Sequence, residues 1–475
     1  RTQSLSARVV TTKPSTCLPV LPCQCSTSYS SRLHAPQQRR LRSIAFSGQD
    51  PSQGTEPKPE APASAPSTSG SQEQIPAVLP GENKNLQIPK DVLERLKFTV
   101  FGYDTFWVTS VENYEADGVI FKGNMRAKDT AAAYAKMCDR LKAELGGKYS
   151  LFLLQDRDDS PTIIVLPEGS GSERISRGTE VWLAVAFALG TTLTSLQANN
   201  VPILPFLVDP FHTAISQQDF VDAAPAVAAF WATLLLHEWG HWSAARKAGA
   251  ETYLPFIIPA GFGFLGSFGG ITRLKGFLPN REALLAFASE GPFLGAASSL
   301  FLVVVGLGLS AAGVCDIGVD SPSFADSFLI ALLAQGFLGD NLATEVVQVN
   351  SLFVAGWAGL VVNALNCIPV GETDGGRMAT AMWGRRTGLA LGLWSSGALA
   401  LGSLNSALAF YWLILVLVLQ RGPVLPCNNE MAEPTDKNAV LRGAALLGLP
   451  LLVLLPYPVE LLVAIRDMAN PAPLF

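Results

Sequence analysis

The apolar run Ala223–Ala245, AAPAVAAFWATLLLHEWGHWSAA, has the length that takes one helix across a bilayer, roughly 20 residues. Three ionisable side chains interrupt it, at His237, Glu238 and His241. Such a group at mid-bilayer costs about 2.5–3.5 kcal/mol on insertion scales, so intramembrane ionisable residues are rare and usually functional. Helical positions four apart share a face, so His237 and His241 project side by side. Two imidazoles placed this way can chelate Zn²⁺, and Glu238 between them can act as general base on a water that the ion activates. The chain has four histidines, His34, His212, His237 and His241, and two of them fall at this spacing on one hydrophobic helix. A polar contact that hydrogen-bonds between helices of a bundle is the bland alternative for the same residues.

Composition agrees with a membrane setting. Of 475 residues 49% are hydrophobic and 15% charged, against about 25% charged in ordinary soluble proteins. The mean hydropathy is +0.29. A net charge of -5 argues against a nucleic-acid partner. Cys17, Cys23, Cys25, Cys138, Cys315, Cys367 and Cys427 include no CxxC pair and outline neither a metal nor a disulfide framework.

Residues 1–49 hold no Asp or Glu, seven Lys or Arg and many Ser and Thr, the composition of an organellar transit peptide. Residues 50–88, rich in Pro, Ser, Glu and Gln, read as a disordered linker. Residues 90–168 read as a small soluble α+β domain: a helix over 91–97, strands over 98–110 and 118–123, an amphipathic helix over 129–145 and a hairpin of 150–154 with 162–166. No catalytic constellation appears there, so packing or substrate filtering is the expected role.

From residue 175 to 465 the chain reads as an all-α polytopic membrane domain with about seven spans, near 179–197, 222–246, 283–312, 347–370, 387–403, 405–421 and 440–463. The segment 253–271 is apolar too, but Pro255, Pro259 and several glycines make it a re-entrant hairpin or loop packed against protein. Charge tests this count. No Lys or Arg occurs over 178–245 or 282–376, and the flanking basic residues, among them Arg177, Arg246, Lys275, Arg385 and Arg442, then share one face. The opposite loops, 198–221 and 313–346, are acidic. The positive-inside rule assigns the basic face to the cytosol-like side, which for a plastid is the stroma.

A catalytic zinc usually takes a third protein ligand. The apolar run 351–370 ends in NCIPVGETDGG, where Pro369 and glycines break the helix around the membrane-proximal carboxylate of Asp374. Alone, this reads better as an Asp-Gly turn at a helix end. HEWGH in one apolar helix followed by N-x-x-P-x-x-x-x-D-G in a later one, matched at Asn366, Pro369, Asp374 and Gly375, resembles the site-2 protease family of intramembrane zinc metalloproteases. The stretch FGYDTFWVTS with GVIFKGNMR further on, within 101–126, is similar to the G-N-x-R region of its EGY (ethylene-dependent, gravitropism-deficient and yellow-green) chloroplast branch. The resemblance covers roughly 95–465. Met125 and Thr373 stand where Leu is usual, and Glu290 stands where the family has a small residue.

The resemblance implies hydrolysis of a peptide bond within transmembrane protein substrates, in a thylakoid or inner-envelope membrane. It implies Zn²⁺ held by His237, His241 and Asp374, with Glu238 as general base and Asn366 stabilising the oxyanion or holding the substrate backbone. Two rivals are a non-hydrolytic scaffold or chaperone derived from a protease, which the intact motifs oppose, and a metal transporter, which would show repeated halves.

Overall fold

The computed structural model describes residues 9–10, 88–114, 118–155, 160–168, 176–419, 424 and 426–458. Apart from Val9 and Val10, the expected transit segment lies outside the described residues, as does nearly all of the linker.

The N-terminal region is a four-stranded antiparallel sheet packed on helices. Its elements are α1 (Lys90–Arg95), β1 (Phe106–Tyr114), β2 (Gly118–Met125), α2 (Thr130–Leu145), β3 (Tyr149–Gln155) and β4 (Pro161–Pro167), with strand order β1-β2-β4-β3. Asp129 caps α2 by accepting from the amides of Ala131 and Ala132, both at 3.0 Å, and Gly146 ends it in the left-handed region. Leu96, Val100, Phe101, Phe106, Phe121, Met137, Leu153 and Ile163 form the core, with Phe101 edge-on to Phe106 and Phe121.

The expected strand over 98–110 is corrected. Residues Leu96–Val100 continue α1 as a π-helical turn, and the strand starts at Phe106. The apolar pattern misleads because Leu96 and Val100, four apart, face the core while Phe98 is 82% exposed, which is helical and not alternating burial.

In the membrane region three helices are long and apolar enough to cross a membrane: α3 (Arg177–Ala198), α4 (Gln217–Lys247) and α5 (Arg281–Ala311). Ser216 and Asp219 close a capping box at the start of α4, and Asn280 caps α5. Between α4 and α5, the 253–271 segment is a β-hairpin of β5 (Phe256–Phe262) and β6 (Leu265–Ile271). It is pinned to α3 by the hydroxyls of Thr191 and Thr194, which donate to Ile257 O (2.8 Å) and Gly266 O (2.6 Å). Shielded backbone of this kind satisfies its polar groups away from water.

The acidic segment 313–346 is more ordered than a loop. It carries β7 (Ile317–Asp320), paired with β8 (Val346–Val349) and with Val9–Val10, and the apolar helix α6 (Phe328–Leu338). The run expected as a span over 347–370 is β8 followed by the shorter helix α7 (Ser351–Asn366). Every residue of α7 except Leu352 is buried, so protein surrounds it on all sides and its core replaces lipid contact. Helix α8 (Asp374–Gly402) starts at Asp374, well before the expected 387, and breaks at Gly384, whose φ of 84° is left-handed. Helices α9 (Ala407–Leu419) and α10 (Lys437–Val453) follow, and the interruption at 403–406 falls at the boundary between the spans expected near 387–403 and 405–421.

The two regions join by backbone pairing. Leu153 of β3 donates to Asn428 O (2.8 Å) and accepts from the amide of Glu430 (2.9 Å), while Asn428 donates to Leu278 O (2.8 Å) just before α5.

Candidate metal centre

Two distant segments meet at the centre of the helical region. His237, Glu238 and His241 rise from α4, and Asp374 opens α8, where Thr373 caps the helix by accepting from Gly376 N at 3.2 Å. His237 is 4% exposed, His241 1%, Asp374 6% and Glu238 8%. The Nε2 atoms of the histidines lie 3.0 Å apart, and Asp374 Oδ2 is 3.3 Å from that of His237 and 3.4 Å from that of His241.

The outer ring nitrogens explain how the inner ones present themselves. His241 Nδ1 faces Phe287 O at 2.8 Å; a carbonyl only accepts, so Nδ1 carries the proton. Asn363 on α7 donates its amide to Gly359 O (2.8 Å), which turns its Oδ1 towards His237 Nδ1 at 2.8 Å. Assigned from this network, both Nε2 atoms carry lone pairs aimed at each other and at a carboxylate oxygen. Three acceptors converge on one point, and a cation there satisfies all of them. Zinc–nitrogen bonds of about 2.0–2.1 Å at tetrahedral angles place neighbouring ligand atoms about 3.3 Å apart, which the observed spacings fit. Among the described residues, His237, His241 and Asp374 are the group whose ligand atoms lie close enough together to hold a metal ion.

Close packing brings the helices to this distance. A Cβ at Gly291 of α5 would overlap the His241 imidazole, and a Cβ at Gly270 of β6 would overlap Glu238 Oε1. Glu238 lies against the hairpin, where its Oε2 accepts from the Thr272 hydroxyl. It also lines an open cleft of about 830 Å³ bordered by Arg177, Glu180, Trp239, Trp242, Tyr253 and Lys275. Water and an extended chain can therefore reach the carboxylate from outside, whereas the histidines do not line the cleft.

Asn366 is not part of the His–His–Asp group. Its amide donates to Phe268 O of β6 (3.2 Å) and to Val362 O (2.9 Å), tying the hairpin to α7. Three neighbours escape sequence reading. Asn363 sits one turn before Asn366 in an apolar helix, a signal that was present. Arg377 follows Asp374 by three residues; it donates from Nη1 and Nη2 to Thr272 O, both at 3.3 Å, and lies 3.9 Å from Asp374 Oδ1. Thr272 has no sequence signature. Glu290 pairs with Arg442 of α10 at 3.0 Å, and Arg442 also donates from Nε to Ser289 Oγ at 3.2 Å.

Residues 225–396 match the peptidase family M50, and residues 94–173 match the EGY3 middle domain. The "Probable zinc metalloprotease EGY2, chloroplastic" of Oryza sativa subsp. indica is 38% identical over 387 residues, which cover 81% of this chain and 69% of that protein. The "Probable zinc metalloprotease EGY1, chloroplastic" of Arabidopsis thaliana is 34% identical over 403 residues, covering 78% of this chain and 71% of that protein. No solved structure matches. A match to the family over the segment that carries both site motifs, with this coverage of its relatives, shows that the chain belongs to peptidase family M50, in the EGY group.

Proposed function

We propose that this chain is a zinc-dependent intramembrane endopeptidase of the chloroplast, acting on membrane-embedded protein substrates. One observation carries the reading: three buried ligand atoms from α4 and α8, the two imidazole Nε2 atoms and Asp374 Oδ2, face one another at metal-ligand spacing. His237, His241 and Asp374 would hold the zinc. Bound there, the ion supplies Lewis-acid polarisation of a carbonyl and lowers the pKa of water from about 15.7 towards 7.

The chain's own residues do the rest. Glu238 takes a proton from water and returns it to the leaving amine. Asn363 and Phe287 O hold the imidazole tautomers. A helical substrate must unwind before its peptide bond is reachable. The glycine-rich β6 is an edge on which the unwound strand can pair, with the Asn366 amide available to its backbone. Depth follows from α4: Arg246 stacks on Trp242 at 4.7 Å, as at a membrane interface. At 1.5 Å per residue His241 then lies about 7 Å and His237 about 13 Å further in, inside a hydrocarbon core about 30 Å thick.

The finer architecture belongs to the same proposal. Seven spans, with the hairpin re-entrant, put the basic residues on the stromal face. Residues 1–49 serve targeting, 50–88 link, 90–168 form the soluble domain and 175–465 the protease domain. The test is Glu238→Gln in purified protein. It should keep its zinc, measured by metal analysis, and lose turnover of a quenched-fluorescent peptide carrying one apolar span. Normal turnover would remove Glu238 from the reaction.

A further inference from the structure

Glu238 has three rotatable bonds and must present its carboxylate in one place. Its Oε2 accepts from the Thr272 hydroxyl, and its Oε1 has no hydrogen-bond partner among the described residues. Thr272 lies one residue beyond β6, between its last rung, Phe256–Ile271, and the Arg273 carbonyl that accepts from the Tyr253 amide at 2.9 Å. Among the described residues, no ladder bond holds the Thr272 carbonyl. Arg377 fixes it there. Both Nη atoms donate to Thr272 O at 3.3 Å, from a buried side chain on the first turn of α8. The same guanidinium lies over the Phe287 ring at 5.5 Å, and Phe287 O accepts from His241. Arg377 thus touches the hairpin end, the α8 carboxylate and the residue that orients His241.

We propose that Thr272 and Arg377 are positioning residues that act as one unit to aim the Glu238 carboxylate, an inference that rests on the proteolysis proposed above. Arg377 holds the Thr272 backbone, and the Thr272 hydroxyl holds Oε2. Oε1 is left to receive the proton. In the step itself a proton moves from water to Oε1, the hydroxide adds to the scissile carbonyl carbon, and the proton passes to the amide nitrogen as its bond to carbon breaks. Thr272 keeps its own proton throughout and forms no bond to substrate. The hydroxyl also donates equally well to the carboxylate before and after turnover, so it orients without being consumed.

Kinetics of the full chain in detergent, on a quenched-fluorescent peptide with one apolar span of roughly 20 residues, tests this. Turnover by the unaltered chain and its absence in Glu238→Gln report on the proteolysis, so the two ideas fail separately. Thr272→Val, which keeps shape and loses the hydroxyl, should lower kcat about tenfold or more with KM and zinc content unchanged. Thr272→Ser should restore kcat. Arg377→Lys should lose a similar factor, and Thr272→Val with Arg377→Lys should lose no more than either alone, because residues that act as a unit are non-additive. Apart from turnover, a peptide hydroxamate, whose hydroxamic proton is received by Glu238, should bind Thr272→Val about tenfold more weakly and Thr272→Ser normally. Full kcat in Thr272→Val, losses that multiply in the double variant, or a rise in KM alone would overturn the proposal.

Discussion

The two regions of this molecule sort their charges in opposite senses. In the N-terminal region the core holds no charged side chain among the described residues, and the ion pairs Lys122–Glu112 and Arg140–Asp104 lie outside it with a third to a half of most of these side chains exposed. In the helical region the outer surface is apolar, with Trp182 76%, Phe301 67% and Trp394 80% exposed. His237, Glu238, His241, Asp374 and Arg377 are buried at its centre, each with a named partner. The charges of the first region lie at its surface and those of the second at its centre, where burial demands partners. The difference teaches where function can be read. Outside charges in the N-terminal region are ordinary solvation, while inside charges in the helical region need partners and mark the candidate site.

The largest expected contrast lies between two ion pairs. Glu290 and Arg442 pair inside the helical region with less than a quarter of each side chain exposed. Arg442→Leu strands the carboxylate, and unfolding in detergent should show a loss of about 3 kcal/mol. Adding Glu290→Leu should recover most of it. Lys122→Ala in the N-terminal region should cost at most about 1 kcal/mol in the same assay. Equal losses would break the contrast between the regions.

A smaller effect is expected from packing at the centre. Gly291→Ala adds a methyl where the His241 ring lies. Zinc affinity, read by competition with a chelator, should fall about 10–100-fold, as when an outer partner of a ligand is disturbed. Unchanged affinity would mean that His241 does not need the position it occupies here.

The smallest effect is one of pH, confined to the N-terminal region. Arg140 and then Lys136 hold the Asp104 carboxyl well below the usual carboxylate range. A group depressed on folding stabilises at pH above its unfolded value of about 3.9, and that contribution disappears as pH falls through the folded value. Denaturation between pH 5 and pH 2 should show this loss, and Asp104→Asn should flatten it. A profile that Asp104→Asn leaves unchanged would show the pair to be inert.

Much of this was legible because the signals were local or chemically costly. The HEWGH spacing stood out against apolar surroundings, as did helices α3, α4 and α5 by length, whereas Asp374 joined it only through the family resemblance. The hairpin at 256–271 was foreshadowed by Pro255, Pro259 and the glycines. The rest depended on chain segments far apart. Thr272 meets Glu238 across 34 residues and Arg377 meets Thr272 across 105, with no pattern at either end. Helix α7 was read as too long, because complete burial makes a 16-residue helix as apolar as a spanning one. The π-turn at Leu96–Val100 was missed because short apolar runs carry strand and helix patterns alike.

We propose above that His237, His241 and Asp374 hold one zinc ion within the membrane. Zinc K-edge absorption on the purified chain, beside Asp374→Asn, tests it most directly. The account expects about one zinc per chain with two imidazole nitrogens at about 2.0–2.1 Å and oxygen completing the shell, and less zinc in the variant. A chain that cleaves without zinc, or a zinc held by sulfur at about 2.3 Å and indifferent to Asp374→Asn, would contradict it.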